Sequence, residues 1–83
     1  MIRKVVLDVL KPQNPSILEF SSQLSKIKGI KKVEIVTTEM DREVETVKIT
    51  LYGNIRFEEV RRVLEDLGAS IHSIDEVVAG KRL

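Results

Sequence analysis

Two stretches of the chain, KIKGIKKVEIV and EDLGASIHSIDEV, pass through the same event: an amphipathic segment ends at a glycine and an alternating segment begins at once. Gly29 and Gly68 are natural helix stops, because glycine adopts the left-handed conformation that follows a last helical turn. The alternation after each glycine is the mark of a strand. A helix-to-strand junction that occurs twice divides the chain into two similar halves and leaves few topologies open.

Upstream of the first junction, Val5, Leu7 and Val9 point one way from the segment Ile2 to Leu10, while Lys4, Val6, Asp8 and Leu10 point the other. Pro12 and Pro15 end that strand. The stretch NPSILEF then offers Asn14 as a helix N-cap with Pro15 at the first helical position, and Ser16 with Glu19 as a competing capping box. Ile17, Phe20, Leu24 and Ile27 form the apolar stripe of this helix, whose last turn is expected to carry Lys26 and Lys28. In IKKVEIVTTEM, Val33 and Ile35 face inward; Asp41, Arg42 and Glu43 reverse the chain; and ETVKITLYG alternates Val47, Ile49 and Leu51 with Lys48, Thr50 and Tyr52. A hairpin is expected. The second helix runs from about Phe57 to Leu67, burying Phe57, Val60, Leu64 and Leu67, and a last strand begins near Ser70.

The order strand, helix, strand, strand, helix, strand is a doubled split βαβ unit, the ferredoxin-like α+β plan, here a single domain over residues 1–83. Both helices then cover one face of a four-stranded antiparallel sheet. The other face would carry Val6, Leu10, Val36 and Tyr52 among Lys4, Asp8, Glu34, Lys48 and Thr50, with no cover from its own chain. Apolar side chains gathered on one sheet mark a contact, so copies are expected to pack there or edge to edge as a homo-oligomer.

Composition removes other functions. Fourteen basic and thirteen acidic residues leave a net charge of +1 and no field to draw in nucleic acid. The chain has no cysteine, which excludes disulfides, thiolate metal sites and thiol nucleophiles. The start, MIRKVVLDVLKP, is interrupted by Asp8 and has no small-residue cleavage site, so it reads as a strand of a cytoplasmic protein. No apolar stretch approaches the roughly 20 residues that cross a bilayer.

Candidate site residues are few. If the fourth strand lies antiparallel to the first, His72 falls near Asp8 on the uncovered face. An imidazole beside a carboxylate can be a general base, a metal site or a pH-sensitive contact, and an ordinary half-exposed edge histidine accounts for it as well. Asp75 and Glu76 are consecutive, so a regular strand points them to opposite faces unless a bulge intervenes. In TTEMDREVET, Glu39, Asp41, Glu43 and Glu45 alternate, as a solvated turn that protects an edge would, yet carboxylates from several copies could converge across an interface. Base stacking of the RNA-recognition kind needs aromatics on the central strands, where only Tyr52 is present. LKPQNPS is no anion cradle, although a phosphate could meet the first helix's amides near Lys11. The cluster Lys26, Lys28, Lys31 and Lys32 reads as a helix end, and Lys81 and Arg82 as a frayed tail.

Taken together, RKVVLDVLKPQNPSILEF, VKITLYG, FEEV, LG and IHSIDEVVAGK resemble a family of small, functionally uncharacterised archaeal proteins over nearly the whole chain. The resemblance implies a ferredoxin-like fold, a homo-oligomer built from repeated sheets, and bound calcium or another divalent ion; it implies no reaction. One departure is that the family often places an acid before FEE as a helix cap, where this chain has Arg56, so either Asn54 caps or the helix start is weaker.

The resulting expectation is a non-catalytic, homo-oligomeric binding module holding a divalent cation or small metabolite between subunits. Asp8, His72, Asp75 and Glu76, then Asp41 and Glu43, are the candidate ligands, with oxygen ligation preferred by calcium and His72 as a hydrogen-bonding neighbour. The alternative is an amino-acid or metabolite sensor of the ACT type, with KPQNPS and Gly53 lining its site. An acid/base pair of Asp8 and His72 ranks third.

Overall fold

The structure, a computed structural model, describes residues 1–81. Arg82 of the expected tail lies outside the described residues. The elements are β1 (Ile2–Pro12), α1 (Ile17–Ser25), β2 (Ile30–Met40), β3 (Val44–Ile55), α2 (Phe57–Asp66) and β4 (Ser70–Ala79). The four strands form one antiparallel sheet in the order β2-β3-β1-β4. This is the ferredoxin-like α+β architecture.

The alternation places the core. Val5, Leu7 and Val9 lie opposite Leu51, Ile49 and Val47 across the central strand pair, and all six are buried. Phe20 and Leu24 of α1 and Val60 and Leu64 of α2 close over them, each fully buried. Ile17, Ile27, Phe57 and Leu67 pack at the margin and are only partly covered. Among the described residues, no helix is long and apolar enough to cross a membrane.

The helix ends differ from expectation. α1 starts after Ser16, which occupies the N-cap position without a side-chain cap bond; the Asn14–Pro15 bond is cis and both residues precede the helix. Glu19 accepts a hydrogen bond from Gln23 at 2.8 Å instead of reaching back to the cap. Lys26 is the C-cap and Lys28 lies beyond it, so neither sits in the last turn. At α2 the N-cap is Arg56, again without a side-chain cap, and Glu58 and Glu59 in the first turn face the positive end of the helix dipole. Asn54 does not cap: it belongs to β3, and its backbone N–H donates to the Gly29 carbonyl at 2.8 Å.

That contact explains two glycines. Gly29 (φ +94°) and Gly53 (φ +141°) bring backbone against backbone where β2 leaves α1, and a Cβ on Gly53 would meet the Gly29 carbonyl oxygen. Only glycine permits both the dihedrals and the approach.

The apolar ladder ends in a charge. Lys11 continues the inward series after Val9; it is 1% exposed and faces Glu45, itself buried, across β1 and β3. The pair is 3.4 Å apart, the ammonium donates to the Pro12 carbonyl at 2.7 Å, and it lies 5.0 Å from the centre of the Phe20 ring. Glu45 is therefore not one of the solvated turn charges, and Lys11 is not free to meet a phosphate.

Candidate functional site

The sheet face turned away from the helices is less bare than its alternation suggests. Lys32, Tyr52, Lys4 and Val78 form one row across the four strands; Glu34, Thr50, Val6 and Glu76 form the next. Long polar side chains tie these rows together. Lys4 donates to Glu76 at 2.8 Å, Tyr52 donates to Glu34 at 2.9 Å, and the ammonium groups of Lys4 and Lys32 stand 5.7 and 5.2 Å from the Tyr52 ring centre. Their stems shelter Val6 and Thr50, which are buried although no helix lies above them. The bond to Glu76 raises the Lys4 pKa above its ordinary value, and the bond to Glu34 raises that of Tyr52. Val36 and Leu10 remain exposed on this face.

The pairing of β4 with β1 shifts register three times, once past Arg3 of β1 and twice past a residue of β4. Val6 faces Glu76 but Leu7 faces Ile74, so Asp75 is passed over; Asp8 faces Ser73 but Val9 faces Ile71, so His72 is passed over. Both are bulge positions, where one extra residue is left unpaired and its side chain is re-aimed. Ser73, not His72, is therefore the neighbour of Asp8, because the expected register assumed an unbroken strand. The bulge also removes the simple opposition of Asp75 and Glu76. Asp75 is exposed and accepts a hydrogen bond from Ser73 at 2.7 Å; His72 is exposed; Asp8 is half-buried between Lys48 and Ser73. Glu76 is already paired with Lys4.

The hairpin candidates stand apart. Asp41 and Glu43 flank the turn after β2, near the rung where Pro12 faces Val44. Val6, opposite Glu76, lies six residues back along β1, or roughly 20 Å at the rise of a strand. Asp41 accepts from the Arg42 N–H at 2.7 Å, and the Gln13 amide donates to the Asp41 and Arg42 carbonyls, clipping the loop after β1 to the hairpin. Glu43 borders an open groove of about 440 Å³ shared with Leu10, Lys11, Pro12, Val44, Gly68 and Ser70. Gly53, expected beside KPQNPS, is not part of it, since it abuts Gly29.

Among the described residues, no three His, Asp or Glu side chains gather in a way that could hold a metal ion within one chain. What sequence reasoning missed was the Lys11–Glu45 pair and the polar belt. Extending the period-two count one step past Val9 would have placed Lys11 inward, but Pro12 suggested that the strand had ended.

A family model described as uncharacterized ArCR, DUF211 (COG1888), matches residues 3–83. The chain is 47% identical over 83 residues to Uncharacterized protein MJ0319 of Methanocaldococcus jannaschii, an alignment that spans 99% of this chain and 86% of that relative. With nearly the whole chain, both glycine junctions and the closing strand inside the matched span, the chain belongs to the DUF211 family of uncharacterized ArCR proteins.

Proposed function

We propose that this protein is a non-catalytic, homo-oligomeric binding module of the cytoplasm, which holds a divalent cation with calcium-like preference for oxygen, or a small metabolite, where copies meet. The observation that carries this reading is the free edge of β4. His72 and Asp75 leave the ladder there, and Ile74 and Val77 beside them are 50% and 51% exposed. Hard oxygen ligands next to an unsatisfied apolar strip fit a site completed by a neighbour, since calcium takes six to eight oxygens and one copy brings only a few. Asp8, Asp75 and Glu76 would supply oxygen and His72 a hydrogen bond; Asp41 and Glu43 would serve a second contact at the hairpin.

The test is thermal unfolding of the assembled protein with calcium, magnesium or manganese and with a chelator. A midpoint that rises with calcium and no longer rises in Asp75→Asn supports the reading. A midpoint indifferent to all three ions overturns the cation. The second reading, an ACT-type sensor of amino acids, draws on the open groove beside Lys11 and Pro12. A midpoint that rises with an amino acid, and with no ion, favours it.

A further inference from the structure

The near balance of fourteen basic and thirteen acidic residues conceals a segregation of charge along the strands. At the end where α1 gives way to β2 and β3 to α2, Lys26, Lys28, Lys31, Lys32 and Arg56 are all exposed. At the other end stand Glu39, Asp41, Glu43 and Asp66, also exposed, with Arg42 among them. The molecule is 42 Å long, and β3 alone, with twelve residues, spans about 40 Å at the rise of a strand. That separation is several times the Debye length of about 8 Å in physiological salt, so the acidic end does not cancel the field of the basic one. A net charge of +1 therefore does not describe what a polyanion would meet.

The basic end is also poorly neutralised by its own chain. Among the described residues, Lys26, Lys28, Lys31 and Arg56 form no ion pair, and the one carboxylate beside Lys32 is Glu34, 3.8 Å away. Glu58 and Glu76 at the same end are taken by Arg61 and Lys4, and Glu59 sits in the first turn of α2. Lys28 and Lys31 lie beyond the last turn of α1, so the helix dipole gives no account of them.

We infer that this end of the fold binds single-stranded nucleic acid, with phosphates along Lys28, Lys31 and Lys32 and one base on the Tyr52 ring. This goes beyond the cation reading and does not depend on it. The track leads from the helix layer to the open sheet face: Lys31 is passed over in the ladder between Ile30 and Lys32, and Lys32 faces Tyr52. Tyr52 lies on a central strand, with the ammonium groups of Lys32 and Lys4 5.2 and 5.7 Å from its ring centre. A base stacked on the ring brings its own phosphate within reach of Lys32, which exchanges a cation–π contact for a charge-assisted hydrogen bond. One ring stacks a base without reading its identity, so binding is indifferent to sequence. A lipid surface is the lesser fit, because Leu18, Met40 and Val44, apolar side chains that could enter an interface, are exposed at the acidic end.

Fluorescence anisotropy of a labelled uridine oligonucleotide of about 12 nucleotides, between about 50 and 200 mM salt, tests this. Wild type binds with a logarithmic salt slope of about −2, from three phosphate contacts at about −0.7 each. Lys28→Glu with Lys31→Glu weakens binding at least about tenfold and flattens the slope. Tyr52→Ala weakens it about tenfold, while Tyr52→Phe keeps the wild-type affinity. Arg42→Glu, a charge reversal at the acidic end, stays within about twofold of wild type. Lys28, Lys31 and Arg42 are exposed and Tyr52 is outside the buried core, and circular dichroism confirms that every variant is folded. A wild type that leaves the oligonucleotide free at the lowest salt overturns the inference. Equal losses in Arg42→Glu and the lysine variant overturn it by assigning the binding to overall charge. An unchanged affinity in Tyr52→Ala, or equal affinity for a duplex, overturns it by removing the stacked base. Binding to phosphatidylserine vesicles but not to the oligonucleotide overturns it in favour of a membrane surface.

Discussion

Lys11 and Glu45 face each other across β1 and β3 at the point where the buried apolar ladder stops, their charges 3.4 Å apart and the Lys11 side chain wholly out of solvent. The ammonium is held by the Pro12 carbonyl and the Phe20 ring as well, so it joins the end of the sheet, the loop leading into α1 and the first turns of that helix.

Such a pair is worth less than the cost of breaking it. Glu45→Gln leaves an ammonium without its counter-charge in the interior and is expected to destabilise the protein by about 3 kcal/mol in urea unfolding. Lys11→Met with Glu45→Leu removes both charges and is expected to stay within about 1 kcal/mol of wild type. A loss in Glu45→Gln of less than about 1 kcal/mol would show that the pair is solvated.

The two phenylalanines should separate. Phe20 is fully buried between α1 and the sheet, and Phe20→Ala is expected to cost about 3–5 kcal/mol. Phe57 is packed only at the margin of the core, so Phe57→Ala should cost clearly less. The comparison is read from midpoints of denaturant unfolding at constant slope.

Backbone contact makes Gly53 the most sensitive glycine. Gly53→Ala combines a positive φ with a clash against the Gly29 carbonyl, for an expected loss of at least about 3 kcal/mol. At Gly68 (φ +86°) a Cβ would meet only the Pro12 side chain at 3.5 Å, so Gly68→Ala should cost about 1–2 kcal/mol, the left-handed penalty alone. Thermal unfolding of the two variants, side by side, ranks them.

One surface pair offers a pH test. The hydrogen bond from Arg61 holds the Glu58 carboxyl below its ordinary value of 4.5, and Glu65 accepts from the same guanidinium at 3.3 Å. A lowered folded-state pKa contributes stability above the unfolded value, and this is lost as pH falls through the folded one. The melting difference between wild type and Arg61→Gln should therefore be present at neutral pH and shrink below about pH 4.5. It should also weaken in high salt, because the pair is exposed. A difference that is constant down to pH 3 would assign it to helix propensity.

Much of the fold was legible because periodicity is a local property. Val5, Leu7 and Val9, or Val60 and Leu64, declare their face by spacing alone, and Gly68 follows the C-cap of α2 in the left-handed conformation as its type predicts, whereas α1 ends at Ser25, short of Gly29. The candidate site was less so. The positions of His72 and Asp75 depend on two bulges, and a bulge is settled by how β4 fits against β1, not by the composition of β4. Lys11 looked like a surface charge because its partner is thirty-four residues away.

The amino-acid order by itself determined the element sequence, the core stripe on each element and hence the single four-stranded sheet with both helices on one side, since each follows from side chains a few residues apart. Only the tertiary structure decided which charges are buried, which sheet positions are covered by neighbouring lysines and a tyrosine, and which residues of β4 leave the ladder. Those outcomes rest on cross-strand register, where a shift of one residue exchanges the two faces of a strand.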